Sequence, residues 1–132
     1  MKDILKNLFW KDARKVPDQV KCAFLKTFPE AFNEEWSLEG ANWEAVFYLD
    51  QVEKIARFSK DGTVQELRTN MAIGELPPHI EAAIAPYGEI MSAISIEKEN
   101  VLSWEIIYRN EQLSRFVCYL DETGAELSKK KL

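Results

Sequence analysis

One histidine, His79, and two cysteines, Cys22 and Cys118, are the only imidazole and thiol side chains in 132 residues. A multi-histidine metal centre is therefore excluded. So are a disulfide framework and a four-cysteine zinc site. One disulfide is open to two cysteines, but nothing local pairs them, and two free, unreactive thiols are expected. Any Ser-His-Asp or Cys-His arrangement has to use His79, and neither cysteine has signature residues around it. His79 is expected in a surface or capping role at a helix start. Glycine is sparse: five residues, scattered, with no cluster to cradle a phosphate. No apolar run approaches the ~18 residues of a membrane span. Basic residues number 17 against 22 acidic ones, a net charge of −5. That balance disfavours nucleic acid, whose phosphates need a basic surface. The acidic pairs Glu34-Glu35 and Asp121-Glu122 lack EF-hand spacing and read as solvated turn charges. The expectation is a chain with no cofactor, no metal and no catalytic set.

What is present is globular: 46% hydrophobic and 30% charged residues. It is also written twice. WEAVFYLDQVEKIARFSKDG runs from Trp43 to Gly62, and WEIIYRNEQLSRFVCYLDETG from Trp104 to Gly124. Each copy has an apolar run opening on Trp-Glu, a polar break, a second apolar run and an acidic turn closing on Gly. Two apolar runs joined by a short polar turn signal a hairpin. Their recurrence suggests an internal duplication.

A helix precedes each hairpin. Val16-Pro17 opens the first, with proline in the first turn and Asp18 on the favourable side of the helix dipole. Val20, Phe24 and Phe28 make one buried stripe, and Pro29 stops it. Leu76-Pro77-Pro78 opens the second, Ile80, Ala83, Ile84 and Tyr87 repeat the stripe, and Pro86 with Gly88 close it. A short strand lies between helix and hairpin: Glu34 to Leu38 around Trp36, and Ile90 to Ile96, which alternates as Ile90, Ser92, Ile94, Ile96. A further run follows each Gly, Thr63 to Arg68 and Ala125 to Ser128. Turns fall at Asp50-Gln51, Asp61-Gly62, Glu99-Asn100, Asn110-Glu111 and Glu122-Thr123-Gly124.

The expected fold is α+β: two tandem units, each one helix on a four-stranded antiparallel sheet, together a long curved sheet with helices on one face. Residues 16–70 form the first unit and 71–132 the second, within one compact domain. Residues 1–15 form an amphipathic arm or helix, packing Leu8, Phe9 and Trp10 on the body. Lys6 and Asn7 interrupt its apolar run, so it is not read as a signal peptide.

A helix covers one face of a sheet, and the other meets solvent or a partner. Trp43, Ala45, Phe47 and Leu49 share one face; Glu44, Val46 and Tyr48 share the other. Leu102, Trp104, Ile106 and Tyr108 lie opposite Ser103, Glu105 and Ile107. The apolar sets are assigned to the core. Candidate binding residues on the open face are Tyr48, Arg57, Tyr108, Arg109 and Tyr119, with Trp36 added because its strand is short and edge-lying. Alternation leaves two choices open: Arg57 or Phe58 faces outward, and so does Tyr119 or Leu120. Tyr108 shares parity with Trp104 and has an equal claim to the core.

The order of these motifs resembles the PepSY-like proteins of the β-lactamase-inhibitor-like (BLIP-like) group. The matching residues are Val16-Pro17, Phe24, Phe28-Pro29, Trp36, Trp43-Glu44, Phe47-Tyr48, Phe58 and Asp61-Gly62. In the second unit they are Leu76-Pro77, Ile84, Tyr87, Trp104-Glu105, Tyr108 and Gly124. The resemblance spans residues 15–127. It implies two tandem helix-plus-four-strand units, a secreted or periplasmic setting in bacteria, and a binding role. It carries over no catalytic residues, and it does not establish β-lactamase inhibition.

Two functions follow. The first is a non-catalytic protein- or peptide-binding or inhibitory module using the open sheet face, as a monomer or weak dimer. The second is an intracellular acidic interaction protein, an immunity or chaperone-like partner steered toward a basic toxin or effector.

Overall fold

The computed structural model describes residues 16–132; the expected N-terminal arm, 1–15, lies outside the described residues. Among the described residues the architecture is α+β, with two α-helices and an eight-stranded sheet whose strand order follows the chain. By internal packing the chain divides between Leu67 and Arg68.

The first unit opens with α1, Asp18–Thr27, directly after Pro17. Asp18 sits in its first turn and Lys26 in its last, both favourable to the helix dipole. Val20 and Phe24 are its buried residues. The backbone N–H of Phe28 donates to the Phe24 carbonyl at 2.8 Å and closes the helix before Pro29. Strands β1 (Phe32–Glu39), β2 (Asn42–Leu49) and β3 (Val52–Phe58) follow. They pair antiparallel, with Trp36 opposite Ala45 and Trp43 opposite Phe58. The β2–β3 turn places both Asp50 and Gln51 at positive φ, 51° and 67°, as in the type I′ turn that matches strand twist. The core gathers Val20, Phe24, Phe28, Trp36, Phe47 and Phe58. Phe24 is its hub: its ring meets Phe47 at 5.0 Å and Trp36 at 5.2 Å, both edge to face. Each such aromatic pair adds about 0.5–1.5 kcal/mol beyond burial alone. Strand β4 (Val64–Met71) carries the division between the units.

Gly62 explains the acidic turn. Its φ is +90°, and a Cβ there would stand 2.8 Å from the Gln19 carbonyl oxygen of α1. Only glycine lets the turn approach the helix backbone so closely.

The second unit has a short 3₁₀ turn, Ile73–Glu75, then α2, Pro78–Ile84. Strands β5 (Glu89–Lys98), β6 (Val101–Arg109), β7 (Arg115–Asp121) and β8 (Glu126–Lys131) follow. Ile80, Ile84, Trp104, Ile106, Tyr108 and Leu120 are buried together. Glu99 and Asn100 repeat the two-residue positive-φ turn. The His79 ring donates from Nε2 to the Glu122 carbonyl at 2.9 Å, tying α2 to the β7–β8 turn. Cys22 is exposed and Cys118 buried, and both are free thiols.

Two details of the second unit correct the sequence reading. Tyr87 does not belong to the buried helix stripe: α2 ends at Ile84, and Tyr87 is 58% exposed. Nor do Ile90, Ser92, Ile94 and Ile96 share one face. The β5–β6 register shifts by a bulge between Ile90 and Ser92, so Ile90 pairs with Tyr108 and packs on the helix-side core.

Candidate functional site

The strand positions that alternate with the core define a face in each unit that, among the described residues, carries no helix: the helix-free face. In the first unit, β2 and β3 pair Glu44 with Arg57, Val46 with Ile55 and Tyr48 with Glu53 across this face. Arg57 donates from Nε and Nη2 to one Glu44 oxygen at 3.3 and 3.0 Å. That hydrogen bond, together with the charges of Glu44 and nearby carboxylates, pushes the Arg57 pKa further up. The pair is partly solvated and is worth no more than about 1 kcal/mol. It leaves Val46 and Ile55 as an apolar strip between two polar ends.

A bulge places an aromatic at one end of that strip. The β1–β2 register shifts between Phe32 and Glu35, and Asn33 takes a φ of 56°. Counting by twos from Trp36 would send Phe32 toward the helix. The inserted residue instead sets it opposite Tyr48, the two ring centroids 6.0 Å apart. Phe32 is 52% exposed and Tyr48 37%. The Tyr48 hydroxyl donates to Glu53 at 3.3 Å.

In the second unit the same face carries Glu105 opposite Tyr119, Ile107 opposite Val117 and Arg109 opposite Arg115. The Tyr119 hydroxyl donates to Glu105 at 2.6 Å, and Arg68 stands 3.6 Å from the other Glu105 oxygen. The hydrogen bond to Glu105, and then burial, push the Tyr119 pKa up. Arg109 is paired with Glu89 at 3.2 Å. The faces thus share a central glutamate and an aliphatic pair. They differ at the end, where the first unit has Phe32 and Tyr48 and the second has charges.

No family model matches the chain, and no curated protein matches it. Solved structures do. One is a protein of Bacteroides eggerthii provisionally named as periplasmic: TM-score 0.80, 19% identity, covering 88% of each chain. Another is a DUF2874 family protein of Bacteroides uniformis: TM-score 0.79, 17% identity, 87% of this chain and 88% of that one. A third is a BLIP-like protein of Bacteroides fragilis: TM-score 0.75, 20% identity, 88% of this chain and 86% of that one. At such identities the likeness concerns the fold, and the fold is BLIP-like.

Of the six residues singled out from sequence, four reach the helix-free faces: Tyr48 and Arg57 in the first unit, Arg109 and Tyr119 in the second. Two do not. Trp36 is 7% exposed, because Ala45 opposite it leaves room for the indole to lie against Phe24 and Phe58. Tyr108 is 2% exposed, stacked on Phe116 at 5.3 Å and 17°. Phe32 escaped the sequence reading; its one signal is Asn33, a residue that tolerates left-handed backbone. Among the described residues no helix is long and apolar enough to cross a membrane, and no group of three or more His, Cys, Asp or Glu stands together to hold a metal.

Proposed function

We propose that this chain is a non-catalytic module that binds a protein or peptide on the helix-free sheet face, in two tandem units of the PepSY-like, BLIP-like kind. The observation that carries the reading is the Phe32–Tyr48 pair. Two exposed rings lie beside the Val46–Ile55 strip, with Glu35 and Glu53 near them and the Glu44–Arg57 ion pair beyond the strip. Aromatic anchors inside a polar rim are the composition of binding hot spots. The acidic rim favours a partner segment with lysine or arginine at its edge. The provisional periplasmic name of the Bacteroides eggerthii neighbour supports a periplasmic setting.

The non-catalytic part rests on the chemistry of the described residues. The ring of His79, the single histidine, is engaged with a backbone carbonyl. Broad hydrolase and transferase panels are expected to show no turnover; turnover abolished by His79→Ala would refute it. Binding is tested with the native source's extract and a Phe32→Ser, Tyr48→Ser double variant. Both side chains are exposed, so the melting point should hold. Specific capture by the wild type and its loss in the folded double variant support the site. Equal capture by both moves the site elsewhere.

A further inference from the structure

The helix side of the second unit holds three rings beside one cation. The Lys129 ammonium lies 5.1 Å from the centroid of Tyr87, 5.6 Å from Tyr108 and 5.2 Å from Phe116. All three distances fall inside the ~6 Å reach of cation–π attraction. The rings come from separate elements. Tyr87 follows α2, while Tyr108 and Phe116 are register partners on β6 and β7. Lys129 is opposite Cys118 on β8, an exposed strand at the end of the sheet order.

Two of the rings, Tyr87 and Tyr108, also line a cavity of about 310 Å³, with Ile84, Leu120, Cys118 and Glu126 among its other walls. The sequence shows why space is left here. In the first unit, Trp43 pairs with Phe58, and the ring of Phe24 on α1 stands 6.3 Å from it. In the second unit, Trp104 pairs with Leu120, and α2 presents Ile84. Two phenyl rings have given way to two shorter side chains. The volume is at the small end of the ~300–1,000 Å³ of ligand pockets. Its wall carries a carboxylate: Glu126 reaches within 3.8 Å of the Cys118 sulfur. Burial and then Glu126 push the Cys118 thiol up, the response expected beside a negative wall in an apolar setting.

We propose that Tyr87, Tyr108 and Phe116 form a receptor for a methylated ammonium group, with the remainder of the ligand in the adjoining cavity, and that Lys129 is a built-in competitor for the rings. Methylation weakens an ammonium's hydration while keeping its charge, so rings and a carboxylate recognise it better than they recognise lysine. This site lies on the helix side of the second unit, uses none of the residues assigned above to a partner, and does not depend on that reading.

The test is a titration with choline, followed by calorimetry and by tyrosine-region NMR shifts, on the wild type and on Lys129→Gln. Removing a tethered competitor should tighten choline binding about tenfold. Adding Tyr87→Ala to Lys129→Gln should abolish it, and 3,3-dimethylbutanol, the neutral isostere, should not bind. A trimethyl-lysine peptide in parallel identifies the ligand's source. Tighter peptide binding assigns the ring site to a modified protein side chain, tighter choline binding to a small molecule, and either supports the proposal. Lys129→Gln that melts like the wild type yet binds neither probe overturns it. So does equal binding of the neutral alcohol.

Discussion

Asp61 accepts the Thr63 backbone N–H at 3.0 Å and the Ser59 hydroxyl. These bonds, the one to Ser59 foremost, lower its pKa from 3.8 to about 2. A group depressed in the folded state stabilises above its unfolded pKa and loses that contribution as pH falls through the folded one. Asp61→Asn should therefore lower the melting point at pH 6–7, with the deficit shrinking as the wild type is acidified from about 4 to about 2. A deficit unchanged across that range would show that charge is not the cause. Trp104 offers a second test at this scale. It is 4% exposed, and its buried Nε1 has no hydrogen-bond partner among the described residues. Trp104→Ala should cost about 3–5 kcal/mol in urea unfolding. Trp104→Phe keeps an aromatic ring and removes an orphan donor whose burial costs about 1–3 kcal/mol, so it should cost markedly less. Equal losses would mean that the indole N–H is satisfied.

At the scale of elements, bulges decide which residues reach which face. Asn33, at a φ of 56°, is the irregular residue that turns Phe32 outward. Asn33→Val should cost about 1–2 kcal/mol, the penalty of a branched side chain in left-handed backbone. Asn33→Gly should be close to neutral by the same unfolding measurement, and equal penalties would remove the strain explanation. These strands also show what the sequence makes legible. Alternation assigned Trp43, Ala45 and Phe47, and Trp104 and Ile106, to the core, because β2 and β6 each keep an uninterrupted period of two. Turn chemistry located Asp50-Gln51 and Glu99-Asn100. The bulges were not legible, since one added residue shifts the parity of everything beyond it and leaves almost no compositional mark. That hid the outward turn of Phe32 and the inward turn of Ile90. Trp36 departs from the sequence expectation for another reason: an edge strand still buries a large ring when Ala45 opposite it makes room.

For the molecule as a whole, a net charge of −5 coexists with opposite local signs. Glutamates rim the Phe32–Tyr48 face, whereas β8 carries Lys129, Lys130 and Lys131. Binding through the glutamate-rimmed face should weaken as salt screens it over a Debye length of about 8–10 Å. The most direct measurement installs one photo-crosslinking residue at Tyr48 and, separately, at Leu25 of α1, which is 59% exposed and so a more accessible control. Irradiation in extract of the native source should yield a discrete adduct from position 48 that is absent from position 25 and competed away by unlabelled wild type. Adducts of the same mass from both positions, or from position 25 alone, would contradict binding on the helix-free face.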